Sequence, residues 1–114
     1  MTTTAVIIPT EGDITTTTLP DDTSERLDAL QHLVEGYIEP VDINEDLSIF
    51  VNEEGKLEGL PYNPRATDLF DGNLMPGDYI AGTAVLIGQP DDNGDATSVN
   101  LTQADQLLGT HLTG

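Results

Sequence analysis

Two histidines, His32 and His111, are the chain's imidazoles, and cysteine is absent. Without a thiolate there is no cysteine nucleophile, no iron–sulfur cluster, no thiolate zinc site and no disulfide framework. His32 falls in a helical segment and His111 near the C-terminus, so a two-histidine metal site is not expected. A serine or threonine nucleophile would need a histidine base and a strained turn to expose it, and the chain has no Gly-x-Ser-x-Gly elbow. Carboxylates are so numerous that none stands out as an acid–base pair, which would require two groups held in different environments. Asp91-Asp92-Asn93-Gly94-Asp95-Ala96-Thr97 places oxygen side chains at alternate positions, as a calcium loop does. However, Ala96 stands where the sharp turn needs glycine, and Thr102 where a bidentate glutamate should close the loop. A solvated acidic turn is the better reading. Gly82 and Gly88 lack the Gly-x-Gly-x-x-Gly spacing of a phosphate-cradling loop. The sequence therefore predicts a non-enzymatic protein with no catalytic residue, metal ligand or cofactor.

The elements that could position any site are short. Residues 1–4 are polar and expected to fray. Ala5-Val6-Ile7-Ile8 and Ile14-Thr15-Thr16-Thr17-Thr18-Leu19, joined by Glu11-Gly12-Asp13, read as a hairpin of apolar and β-branched strands. Pro20-Asp21-Asp22-Thr23-Ser24 is a helix-start cluster, and Leu27, Leu30, Leu33 and Val34 recur at helical spacing. A helix is thus predicted over 24–35, ended by Gly36 in the left-handed conformation. Tyr37 to Ile43 reads as a strand that Pro40 confines to an edge or a bulge, and Leu47 to Val51 as a second. Lys56-Leu57 begins a return strand, Gly59 to Pro64 is irregular, and Arg65 to Phe70 adds a helical turn before Asp71-Gly72. After a turn at Pro76-Gly77-Asp78, Tyr79 to Gly88 is expected to be one long central strand buried on both faces. Thr102 is the expected cap of a short helix over Gln103–Leu108, with a loose tail over 109–114. The fold class is α+β: one domain over 5–108, with a mixed or antiparallel sheet of about five strands and one main helix on a face.

The length of 114 residues with 37% apolar content supports one modest core. Three basic residues against 21 acidic ones give a formal net charge of −18, leaving no basic patch for a phosphate backbone, so direct nucleic-acid binding is not expected. No apolar run approaches the roughly 18 residues of a membrane span, and the N-terminus lacks the basic start and apolar stretch of a signal peptide. A soluble protein of the host-cell cytoplasm, with no membrane partner, is expected. The acidity itself has three readings: adaptation to high salt, a mimic of DNA phosphates that occupies a nucleic-acid enzyme, or ordinary solvated surface.

Leu33-Val34-Glu35-Gly36-Tyr37-Ile38-Glu39, then Val51 to Asn63 (Val-Asn-Glu-Glu-Gly-Lys-Leu-Glu-Gly-Leu-Pro-Tyr-Asn), then Ile80 to Gly88 follow one another in an order that resembles a family of small domains of unknown function carried by phages, plasmids and integrated mobile elements. The resemblance spans roughly residues 5–88. Two departures stand out: Glu35 replaces a glycine common in relatives, and the chain's acidity exceeds what the family generally shows. The resemblance implies an accessory protein of a virus or mobile element and supplies no catalytic residues. Within its motifs, Asn52, Asn63 and Arg65 with Tyr37 and Tyr62 are the candidate binding set. Asparagine both donates and accepts, and arginine offers a planar fork to carboxylate or phosphate. The competing reading is local: Asn52 and Asn63 flank turns, where such side chains bond to nearby backbone. The expected function is binding of a host or element-encoded macromolecule, with a protein as partner. The alternatives are sequestration of a nucleotide-like small ligand, DNA mimicry, and an acidity that reflects salt adaptation alone.

Overall fold

Alternation of apolar and polar residues assigns each strand a face, and both faces of this sheet are covered. The computed structural model describes residues 3–70, 74 and 77–113. Its elements are β1 (Thr3–Ile8), β2 (Thr15–Leu19), α1 (Thr23–Val34), β3 (Ile38–Asp42), β4 (Leu47–Asn52), α2 (Pro64–Asp68), β5 (Ala84–Gly88) and α3 (Leu101–Leu108). The strands form a five-stranded sheet in the order β2-β1-β5-β4-β3, with every neighbouring pair antiparallel. Ala5, Phe50, Val85 and Ile87 meet Leu30 and Val34 of α1 on one face. Val6, Ile8, Ile49 and Leu86 pack on the other against Ala66, Phe70 and Ala104, contributed by α2 and α3 and the chain that follows α2. The result is a single α+β domain with one main helix on the sheet. Fully burying Leu30 and Val34 is worth about 2 kcal/mol each, enough to hold α1 without strong intrinsic helicity.

The hairpins form as the sequence predicts. β1 pairs with β2 from Thr3↔Leu19 to Ile7↔Thr15, and β3 pairs with β4 through Pro40↔Phe50. β3 is an edge, where a residue without an N–H is tolerated. β5 is the central strand and is buried throughout.

Several expectations are corrected. β1 begins at Thr3, so the segment expected to fray at 1–4 is paired strand from Thr3 onward. Leu27 is exposed, so the buried stripe of α1 is narrower than its leucine spacing implies. The left-handed residue closing α1 is Glu35, with φ of 64°, rather than Gly36. Gly36 is needed for space: a Cβ there would lie 2.6 Å from Asn52 Nδ2. Lys56-Leu57 continues a run of turns rather than starting a strand. The long strand expected over Tyr79–Gly88 is regular only from Ala84, because Gly82 turns the backbone to φ of 81° and Ala81 forms an isolated bridge with Tyr62. Asn100, not Thr102, caps α3, its side chain accepting from Gln103 N at 3.0 Å. The tail beyond Gly109 is tied down. Asp105 accepts from the Thr110 hydroxyl at 2.5 Å, Leu112 N at 2.6 Å and Thr113 N at 3.0 Å. The Thr110 bond, followed by the two backbone bonds, holds the Asp105 carboxyl well below the usual carboxylate range. The turns expected at Asp71-Gly72 and at Pro76 lie outside the described residues, as do residues 1–2 and 114.

Candidate functional site

Two irregular connections, 53–63 after β4 and 77–83 before β5, close on each other, and the first carries Tyr62 and Asn63 of the predicted site. Asn52 starts the first: its Oδ1 accepts from Glu54 N at 2.8 Å, and Gly55 N donates to Asn52 O. The turn closes with Leu60 N donating to Gly55 O at 2.9 Å. Gly82 N then donates to Pro61 O and Asn63 N to Ile80 O, at 2.7 and 2.8 Å, which fastens the two connections together. The close approach at Gly55 favours glycine, since a Cβ there would stand 3.0 Å from Ala81 O and the backbone would have to give slightly.

The predicted set divides. Asn63 is fully buried. Its Nδ2 donates to the Ile8 and Gly82 carbonyls, both at 2.9 Å, and its Oδ1 caps α2 by accepting from Ala66 N at 3.0 Å. Asn52 is also buried, its Nδ2 donating to the Val34 and Glu35 carbonyls at 3.1 and 3.3 Å. Arg65 directs its guanidinium to Pro9 O and Gly12 O, at 2.5 and 2.7 Å, clasping the β1–β2 turn. All three side chains are bonded to backbone: the Asn52 and Asn63 carbonyl oxygens accept from nearby N–H groups, as the local reading has it, while both amide NH2 groups and the Arg65 guanidinium donate to carbonyls distant in sequence.

The two tyrosines remain on the surface in different places. Tyr62 is 53% exposed. Its ring meets that of Tyr79 edge-to-face, with centroids 5.7 Å apart and planes at 75°. The Lys56 ammonium lies 4.9 Å from the centre of the Tyr79 ring and pairs with the Asp78 carboxylate. That bond, with help from Tyr79 N, lowers the Asp78 pKa from its ordinary value. Beside this group stands Leu57, 89% exposed, at the rim of a groove of about 400 Å³ that also touches Val51, Glu54 and Ala81. Tyr37, 70% exposed, instead borders a second hollow of about 380 Å³ floored by Gly36 and Asn52. The structure thus joins Tyr37 with Asn52 and Tyr62 with Tyr79, and it leaves Arg65 at the β1–β2 turn.

Sequence reasoning missed Lys56, Leu57, Asp78 and Tyr79. A lone leucine among charged and glycine residues was the available signal for Leu57, but it reads equally well as the start of a strand. Tyr79 was concealed by its continuity with the apolar run of β5.

Asp91 Oδ1 accepts from Asn93 N and Asp95 N, so the loop that imitates a calcium site turns its leading carboxylate toward its own backbone. Among the described residues no three His, Cys, Asp or Glu side chains gather to hold a metal ion, and no helix is long and apolar enough to cross a membrane. No curated protein and no solved structure is similar enough to match the chain. Residues 1–111 match the family model described as Domain of unknown function (DUF3846), and the chain belongs to that family.

Proposed function

We propose that the chain is a non-enzymatic accessory protein of a virus or mobile element that binds a host or element-encoded protein through Leu57, Tyr62 and Tyr79. The observation that carries this reading is the display of three large apolar or aromatic side chains on two connections whose backbones are fastened at Gly55, Leu60, Asn63 and Gly82. Exposed leucine and tyrosine on a rigid support cost little ordering entropy on binding, which is how interface anchors reach high affinity. A nucleotide-sequestering pocket would instead be expected around Arg65, whose guanidinium is bonded to Pro9 and Gly12.

The carboxylates support adaptation to solvent over mimicry of DNA. Exposed acids stand on the β1–β2 turn (Glu11, Asp13), on α1 (Glu25, Asp28), on β3 (Glu39, Asp42), after β4 (Glu53, Glu54, Glu58) and in the loop after β5 (Asp91, Asp92, Asp95). A mimic needs one elongated face, and the molecule measures 38 × 29 × 28 Å.

The test is affinity capture from lysate of the native host by the tagged parent, Leu57→Asp and Tyr62→Ala chains, over a salt series. A protein held stoichiometrically by the parent at raised salt, with affinity reduced about thirtyfold by Leu57→Asp, is the expected result. Equal capture by all three chains removes this surface. A nucleic-acid enzyme released by moderate salt would move the reading to mimicry.

A further inference from the structure

The two free edges of the sheet, β2 and β3, are each 5 residues long and differ in chemistry. Which backbone groups face outward follows from the bonds around them. Thr4 N donates to Ser98 Oγ and Thr4 O accepts from Val99 N, both at 2.9 Å, so Thr4 turns its backbone away from β2. Its partner Thr18 then turns its own N–H and C=O outward, and by alternation so does Thr16. On β3, Tyr37 O accepts from Glu53 N and Ile43 N donates to Leu47 O, which leaves Ile38, Pro40 and Asp42 facing outward. Pro40 has no N–H to offer there, and Glu39 and Asp42 add charge, so β3 is blocked against further pairing. β2 carries no such guard. From Ile14 to Leu19 there is no charge, proline or glycine in a chain with 21 acids. Thr15, Thr16 and Thr18 are exposed, and among the described residues nothing bonds the outward groups of Thr16 and Thr18.

The charges around β2 say what fits it. Two of the chain's 3 basic residues stand at its ends. Arg65 clasps Pro9 O and Gly12 O beside Glu11 and Asp13, and Arg26 donates to Pro20 O and Asp21 O at 3.4 and 3.0 Å beside Asp22. Each end therefore offers both an acid and a guanidinium. We infer that β2 is the seam at which two copies of this chain join, their β2 strands antiparallel about a two-fold axis through Thr17. In that register Thr16 of each copy exchanges both backbone bonds with Thr18 of the other, and uncharged threonines, favourable cross-strand neighbours, line the seam. The Glu11 and Asp13 end of one copy lies along the Arg26 end of the other, and Asp22 along Arg65. The pairing is thus charge-complementary where a net charge of −18 on each copy would otherwise oppose it. The joined sheet ends in β3 on both sides, and Pro40 stops it there, so association closes at two copies. The inference is independent of the surface at Leu57, Tyr62 and Tyr79, with which β2 shares no residue.

The test is sedimentation equilibrium and amide hydrogen exchange of the full chain from low-micromolar to near-millimolar concentration, at near-physiological and at raised salt. A monomer–dimer equilibrium with nothing larger is expected, tightened severalfold by salt because screening relieves the repulsion between acidic copies. Exchange should slow with concentration at Thr16 and Thr18 and not at Ile38 and Asp42, the outward amides of β3. Thr16→Pro, which copies the Pro40 arrangement without touching a bond to β1, weakens the dimer about tenfold. Thr16→Glu with Thr18→Glu sets acids opposite one another across the seam at exposed positions and does the same, which keeps the test decisive if the proline disturbs the hairpin. A chain that is monomeric throughout, a dimer that both variants leave intact, or slowing at Ile38 and Asp42 would overturn the assignment. If Thr16→Pro loses a protein captured from lysate while the chain alone stays monomeric, the edge belongs to a partner's strand and the second copy is overturned as its occupant.

Discussion

Tyr62 and Asn63 are adjacent in the chain and opposite in role. Tyr62 presents its ring to solvent beside Tyr79, whereas Asn63 is enclosed and joins three separate backbone segments, the end of β1, the turn at Gly82 and the start of α2. The same contrast recurs around β4: Asn52 is buried and ties the end of α1 to the following turn, while Glu53 and Glu54, immediately after it, are exposed. An irregular surface can be rigid when one buried amide beside each exposed group satisfies the backbone that regular hydrogen bonding leaves open. Binding chemistry and the structure beneath it then alternate residue by residue, and the two kinds of position should respond differently to mutation.

The largest effect is expected at Asn63. Asn63→Ala removes the α2 cap and leaves the Ile8 and Gly82 carbonyls without the amide they bond in a buried place, a cost of about 3 kcal/mol. Urea denaturation should show a lowered midpoint. A loss under about 1 kcal/mol would mean that water replaces the amide and that the contrast with Tyr62 is smaller than drawn. Asn52→Ala follows at about 2 kcal/mol, because one of its carbonyl partners, Glu35 O, lies nearer to solvent. Amide exchange should accelerate at Glu54 and Gly55 before it does in β5.

Glu35→Gly should act in the opposite sense. Glu35 holds a left-handed backbone that costs a side-chain-bearing residue about 1–2 kcal/mol, while glycine's extra freedom in the unfolded chain returns roughly 0.5–1 kcal/mol of that. The net gain is of order 0.5–1 kcal/mol, read as a higher midpoint with unchanged slope. No gain would place the strain elsewhere than at the end of α1.

The tail offers a solvent-facing version of the same device, with Asp105 in place of asparagine. Its carboxyl is held below the ordinary aspartate value near ~3.9. The unfolded chain binds this proton first as pH falls, so the contribution is complete above that value and is lost only as pH drops toward the lower folded-state value. Exchange protection at Leu112 and Thr113 should therefore persist through pH 5, within about a unit above that ordinary value, and vanish in stronger acid. Asp105→Asn should remove most of it at neutral pH.

These contrasts also explain what was legible in the sequence. The hairpins, α1 and the buried centre of β5 were readable because each is marked by a period or a run of apolar residues. The surroundings of β4 were not. The left-handed role expected of Gly36 falls to Glu35, and Gly36 is needed for space instead, because the decisive neighbour, Asn52, is 16 residues away from Gly36 in sequence and no local pattern announces its approach. Asn52 and Asn63 were singled out as candidate binding residues, yet residue type alone does not say whether an amide faces a ligand or a carbonyl. The Tyr62–Tyr79 pair depends on the bridge between Tyr62 and Ala81, a contact set by tertiary closure.

The smallest stability effects are expected where binding is assigned. Leu57 makes so little contact that Leu57→Asp should change stability by no more than about 0.5 kcal/mol. Tyr62→Ala removes the edge-to-face contact with Tyr79, whose worth at an exposed site is about 0.5 kcal/mol. The backbone clamp at Pro61, Asn63 and Gly82 does not pass through either side chain. Both variants should therefore melt within a few degrees of the parent while losing the protein partner proposed for this surface. If Tyr62→Ala instead costs as much as Asn52→Ala, the ring is part of the clamp, and its exposure would no longer argue for a surface kept for binding.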